Sequence, residues 1–140
     1  MTNQEQINEL NTQVRCKLAP SKIHGVGVFT IRDIRKGEKL YCWFNEHPKI
    51  YTIPYGSLSK LFPEVKEIIL QRWSGVINGS AFRSPNDDQW LILFMNHGGD
   101  NSNYNKLTDT ALRDIKKSEE VTSNYCLTNN ANKAFPDLCQ

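Results

Sequence analysis

One stretch of this chain is written twice. Ile31-Arg32-Asp33-Ile34-Arg35-Lys36-Gly37-Glu38 returns as Leu112-Arg113-Asp114-Ile115-Lys116-Lys117-Ser118-Glu119. The apolar lead, the Arg-Asp pair, the isoleucine, the two basic residues and the glutamate keep their order. A single echo cannot build a solenoid, which needs roughly three stacked units to bury a continuous core. In a chain of 140 residues, about one domain's worth, it reads instead as two similar hairpin-like units, each strand, charged turn, strand. Serine at 118 stands where its counterpart is Gly37. If that turn needs a left-handed backbone, a serine there costs about 1 kcal/mol.

The rest of the chain supplies elements around these units. Ile7, Leu10 and Val14 recur at helical spacing near the N-terminus. Ser21 to Phe29 is a glycine-punctuated turn running into a β-rich stretch, and Glu38 to Phe44 predicts a strand bounded by Lys36-Gly37. The best-signalled helix has Ser59 as its cap and Pro63 in its first turn, where a missing N–H costs nothing. Val65, Ile68, Ile69 and Arg72 or Trp73 carry its period, and Gly75 stops it. Asn78 to Asp88 is expected as a polar loop, and Gln89 to Met95 as an apolar strand buried on both faces. The pattern predicts an α+β fold, mostly β, with several short strands, one main helix and long connections.

Composition then removes whole classes of function. Seventeen basic against fifteen acidic residues leave a net charge of +2. The basic clusters at Arg32–Lys39 and Arg113–Lys117 are interleaved with acids, which argues against direct nucleic-acid binding. No apolar run approaches the roughly 18 residues of a membrane span. Met1 to Gln13 is polar with no apolar signal core, so an intracellular protein, cytoplasmic or nuclear, is expected. Cys16, Cys42, Cys126 and Cys139 form no C-x-x-C pair, and His24, His47 and His97 no H-x-x-x-H pair. No metal site is therefore expected, and four reduced thiols are.

Three segments have the density of a site. His24-Gly25-Val26-Gly27 is a G-x-G turn whose glycines allow a sharp bend and close approach to the main chain. It lacks the third glycine and the following helix of a dinucleotide fingerprint. Asn96-His97-Gly98-Gly99-Asp100-Asn101-Ser102-Asn103 follows directly on the apolar run. Glu119-Glu120-Val121-Thr122-Ser123-Asn124-Tyr125 alternates toward a terminal aromatic. Each alone is also an ordinary turn, an asparagine-rich loop or a packed strand.

Their order is what carries information. G-V-G-V-F at Gly25–Phe29, I-R-K-G-E at Ile34–Glu38, F-M-N-H at Phe94–His97 and S-E-E-V-T-x-x-Y at Ser118–Tyr125 together resemble a SET domain, the protein lysine methyltransferase fold. The likeness covers Arg15 to Leu127. It implies a SET fold of several short sheets in which the chain around Tyr125 passes beside Asn96-His97 in a knot-like crossing, with the main helix in a variable insert. It implies S-adenosylmethionine as methyl donor, met by His24, Gly25, Val26 and Gly27 at its methionine part and by Asn96 and His97 on its adenosine side. Tyr125 matches the family's catalytic tyrosine. Tyr41, Trp43 and Trp90 are candidates for the walls of the lysine channel.

Residues 1–13 then form an N-terminal extension, 14–127 the SET domain with an insert at about 45–89, and 128–140 a tail. The partner implied is a protein substrate bearing a lysine, a histone tail being the family's best-known kind. The chain departs from the family's pattern at Leu93, Gly98, Asn101, Ser118 and Asn124. The family's loop asparagine falls on Ser102 by strict spacing, or on Asn103 with one inserted residue. The C-terminal zinc-binding cysteine cluster of many members is missing. These departures motivate the alternative, a catalytically silent SET fold acting as a protein-binding module.

Overall fold

The two echoed segments face each other across a shared pair of bonds. In the computed structural model, which describes residues 1–42, 50–72, 81–83, 91–127, 131–134 and 136–139, Ile34 N–H donates to Ile115 O and Ile115 N–H to Ile34 O, both at 2.8 Å. The aspartates exchange in the same way. Lys36 N–H donates to Asp114 Oδ1 and Lys117 N–H to Asp33 Oδ1, each at 2.8 Å. Within each turn a glutamate closes the bend: Glu38 Oε1 accepts from Arg35 N at 3.2 Å, and Glu119 Oε1 from Lys116 N at 3.1 Å. Gly37 and Ser118 both take positive φ, 87° and 70°.

From these turns the chain runs into the main sheet. β1 (Cys16–Pro20) pairs antiparallel with β2 (Val26–Thr30). The sheet continues through β8 (Glu120–Ser123) to β6 (Tyr104–Asn105) and β7 (Thr110–Ala111), and β5 (Asn96–His97) also joins β8. β8 is central because its two halves serve different partners. Val121 and Glu120 sit opposite Val28 and Phe29 of β2, antiparallel. Thr122 and Ser123 sit opposite Asn96 and His97 of β5, parallel, and Ser123 also meets Tyr104 of β6. A second, two-stranded sheet pairs β3 (Ile50–Thr52) with β4 (Ala81–Arg83).

Two apolar clusters hold this together. One lies under the main sheet and contains Val28, Ile34, Leu40, Leu91, Met95, Tyr104, Ile115 and Val121. The other joins α1 (Asn3–Gln13) to α2 (Pro63–Arg72) and β3. α1 begins with a capping box in which Thr2 and Glu5 each accept the other's backbone N–H, and it buries the expected Ile7, Leu10 and Val14. α2 starts at Pro63 as expected, and Val65, Ile68 and Ile69 are buried. Ser59 is not its cap. It lies in a preceding 3-10 turn, Tyr55–Lys60, and donates to Gly56 O. Trp73 and Gly75 fall outside the described residues.

The fold is mostly β with few helices, as expected, but two expected strands are replaced. In its described part, residues 38–42, Glu38–Phe44 does not extend as one: Lys39 makes a single bridge to Thr110, and Tyr41 has a φ of 55°. The reason is a side chain. The Asp109 carboxyl accepts from Tyr41 N and Cys42 N, each at 3.0 Å, taking the place of a strand partner. In Gln89–Met95, Leu91–Phe94 forms a 3-10 turn. Leu91 and Met95 go inward from it, while Leu93 and Phe94 are 70% and 43% exposed. Conversely, Ala81–Arg83 of the expected loop is a strand, and the rest of Asn78–Asp88 lies outside the described residues, as do Phe44 and Gln89.

Candidate functional site

A glycine turn, an Asn-His strand and an aromatic turn meet at β8. The G-x-G segment leads into β2, with Gly25 at a φ of 47°. His24, Gly25 and Val26 are exposed, and nothing lies within 4 Å of the place where a Cβ on Gly25 would sit. Gly27 differs. A Cβ there would collide with Glu120 Oε2, so any larger residue would have to displace the carboxylate from its present place.

Asn96 ties the turn to β5. Its side-chain amide is buried and lies 3.1 Å from His24 O, 3.2 Å from Val26 O, 3.1 Å from Ser21 Oγ and 3.0 Å from Glu120 Oε2. Two N–H protons are thus shared among four acceptors. His97 reaches the other way. The Tyr125 backbone N–H donates to His97 Nδ1 at 3.1 Å, which leaves the neutral ring's proton on Nε2. The two rings are 5.1 Å apart and tilted by 51°. The Tyr125 hydroxyl donates to Met95 O in a short hydrogen bond, and burial pushes its phenol pKa up. The structure therefore brings the backbone of His24–Gly27 and the residues Asn96, His97 and Tyr125 into one hydrogen-bonded set. The His24 side chain is exposed, and it is the residue's backbone that joins the set.

Three participants were not singled out from sequence. Ser21 and Glu120 back the glycine turn, and Met95 contributes a carbonyl, a role no side-chain pattern can announce. Asn103, one of the two positions expected for the loop asparagine, also takes part: its Nδ2 donates to Glu120 O at 2.8 Å, and its Oδ1 accepts from Thr122 N at 2.9 Å. It, not Ser102, braces β8 in the loop-asparagine position. Of the channel candidates, Tyr41 lies under the Arg15 guanidinium at 5.5 Å, and Trp43 and Trp90 lie outside the described residues.

Two departures from the expected pattern, Gly98 and Asn124, have a local cause, and nothing in the structure explains Ser118. At Gly98 a Cβ would stand 2.8 Å from both Ser102 Oγ and Thr122 Cβ, so those side chains fill the space a serine would need. Ser118 occupies a left-handed position that glycine would take without strain. Asn124 Oδ1 accepts from Cys126 N at 2.9 Å and so caps the 3-10 turn Tyr125–Leu127, as an aspartate would.

The expectation of four reduced thiols is corrected. Cys126 and Cys139 are disulfide-bonded with Cα atoms 5.2 Å apart, and Cys16 and Cys42 are free and buried. Local cysteine spacing gave no sign of this, because the return of the tail to the residue after Tyr125 is what brings the pair together. Among the described residues no helix is long and apolar enough to cross a membrane. No group of three or more metal-ligating side chains occurs among them.

Comparison with known proteins gives a family match. The SET-domain model matches residues 25–126. No curated protein matches the chain. Among solved structures, a Plasmodium falciparum protein described as a histone methyltransferase is 17% identical, with a TM-score of 0.40 over 84% of this chain and 97% of that one. The Chaetomium thermophilum Polycomb Repressive Complex 2 bound to GSK126 is 19% identical, with a TM-score of 0.39 over 88% of this chain and 17% of that one.

Proposed function

Because this chain belongs to the SET-domain family of protein lysine methyltransferases, we propose that it is an S-adenosylmethionine-dependent protein-lysine N-methyltransferase. The single observation that supports the reading most is the convergence on β8. The G-x-G backbone, Asn96, His97 and Tyr125 come from three distant parts of the chain and are joined by direct hydrogen bonds. The glycine turn also fits a donor. His24, Gly25 and Val26 are exposed, and the space above Gly25 is open, as close approach of a ligand to main chain requires.

His24, Gly25, Val26 and Gly27 hold the methionine part of the donor through backbone groups, and Asn96 and His97 hold its adenosine side. When bound, S-adenosylmethionine supplies a methyl group on a sulfonium, which a neutral lysine amine takes in one in-line displacement. The amine has a pKa of about 10.4 in water, and a nearby cation and desolvation both lower it. No strong base is then needed, and the protein's work is alignment. Tyr125 suits that work. Burial keeps it a neutral phenol, and its proton is given to Met95 O. Toward a further donor its oxygen can only accept, so it takes an N–H of the lysine and turns the nitrogen lone pair toward the methyl.

The catalytic unit is residues 14–127, the insert at about 45–89 sets substrate choice, and the tail 128–140, or a partner, closes the lysine channel. The substrate is a lysine-bearing protein, for which histone tails are the first class to test. The test is transfer of labelled methyl to a panel of lysine-containing proteins. Wild type transfers, and Tyr125→Phe lowers the rate by a factor on the order of 100 or more with folding nearly intact, the loss of the Met95 bond costing about 1 kcal/mol. Full activity in that variant overturns the role of Tyr125. Donor binding without transfer to any member of the panel supports the silent binding module instead.

A further inference from the structure

Glu120 has more contacts than a strand residue needs. Its carboxyl oxygens lie 2.8 and 2.9 Å from Ser21 Oγ and 3.0 Å from Asn96 Nδ2. Ser21 Oγ lies 2.9 Å from Ile23 N and 3.4 Å from His24 N. A hydroxyl has one proton and two lone pairs. The peptide N–H groups and the Asn96 amide can only donate, so the Ser21 proton goes to Glu120. The direction of the chain of bonds is then fixed: turn N–H groups to Ser21, and Ser21 to Glu120. At Gly27 of β2 the absence of a side chain leaves room for the same carboxyl, whose Oε2 would collide with a Cβ there. Its neighbour Glu119 is paired with Arg113 at 2.8 Å, whereas among the described residues no lysine or arginine forms an ion pair with Glu120.

We propose that Glu120 is a positioning residue for the methyl donor: through Ser21 and Asn96 it holds the Ile23–Gly27 backbone in the shape that the donor meets. The inference rests on the reading of the site given above. Two consequences separate it from a general structural role. Losing the carboxyl releases Ser21 and loosens the turn even with no donor present. The cost of reordering the turn then falls on donor binding, while the meeting of Tyr125 with lysine is untouched.

The experiment compares wild type with Glu120→Ala, Glu120→Gln and Ser21→Ala. It reads amide exchange at Ile23 and His24, and kcat and KM for donor. In Glu120→Ala and Ser21→Ala, exchange at these two amides speeds about tenfold or more, and the donor KM rises about ten- to hundred-fold, the size expected for loss of a hydrogen bond to a charged group. kcat at saturating donor stays within about threefold of wild type. Glu120→Gln keeps an oxygen for Ser21 and falls between. If Glu120→Ala does not fold, Glu120→Gln carries the test of the carboxylate, since Ser21→Ala also removes the direct acceptor of the Ile23 and His24 N–H groups. Unchanged exchange at Ile23 and His24, or a wild-type donor KM with a lowered kcat, overturns the inference. A wild-type protein that neither binds donor nor transfers methyl overturns the functional reading itself. An active wild type with unaltered donor KM in the variants overturns only the role of Glu120.

Discussion

The turn at Ile34–Glu38 and the turn at Ile115–Glu119 use the same bonds. Each isoleucine bridges to the other, each aspartate caps the opposite turn, and each glutamate is held by an arginine, Arg15 at 2.7 Å for Glu38 and Arg113 at 2.8 Å for Glu119. Even the exits match. Ala111 N–H donates to Glu38 O, and Thr30 N–H to Glu119 O. The chains then part. After Glu38 the backbone meets the Asp109 carboxyl, which accepts from Tyr41, Cys42 and the Tyr104 hydroxyl, and the segment ends in the core. After Glu119 it becomes β8, with β2 along its first half and β5 along its second. The same turn serves the fold in one place and the site in the other, and the difference lies wholly in what the exiting chain finds to pair with.

The largest test of this equivalence is paired truncation. Ile34 and Ile115 are each 1% exposed, so Ile34→Ala and Ile115→Ala should each cost about 2–5 kcal/mol in urea unfolding. The account expects the two losses to agree within about 1 kcal/mol; a loss at one position alone would break the symmetry. A middling effect of opposite sign comes from the φ > 0 positions. Gly37→Ala meets no atom within 4 Å of its new Cβ, so its cost is backbone alone, about 1–2 kcal/mol. Ser118→Gly should stabilise by up to about 1 kcal/mol. Equal signs in thermal or urea unfolding would contradict the shared geometry.

The smallest effect is in pH. Burial pushes the Glu119 carboxyl up, but the bonds from Arg113 and Lys116 N–H outweigh it and hold its pKa below the ordinary value. A carboxyl lowered in the folded state adds stability above its unfolded pKa of about 4.3 and loses it as pH falls through the folded value. Glu119→Gln should therefore flatten the acid side of the stability curve below about pH 4.5, by less than about 1 kcal/mol for so exposed a group. An unchanged acid limb would remove Glu119 from the account.

Much of this was legible in the residues. The echo announced two like turns, though not that they would bond to each other, periodicity and Pro63 placed α1 and the start of α2, and the order of four short blocks identified the family and pointed to seven candidate site residues. What was hidden depends on partners far away in sequence. Nothing local to Glu38–Phe44 says that Asp109 will occupy its backbone N–H groups. Nothing in Gln89–Met95 says that a helical turn will leave Leu93 and Phe94 outward. Glu120 lay within a quoted block, yet its work is visible only once Ser21 and Gly27 are folded against it. The Met95 carbonyl and the Cys126–Cys139 bond likewise arise from topology.

The most direct test of the central claim is calorimetric titration of the wild-type protein with S-adenosylmethionine and, separately, with its demethylated product. The account predicts saturable binding of both at a single site. No heat at millimolar donor, with or without a lysine-bearing basic peptide, would contradict it.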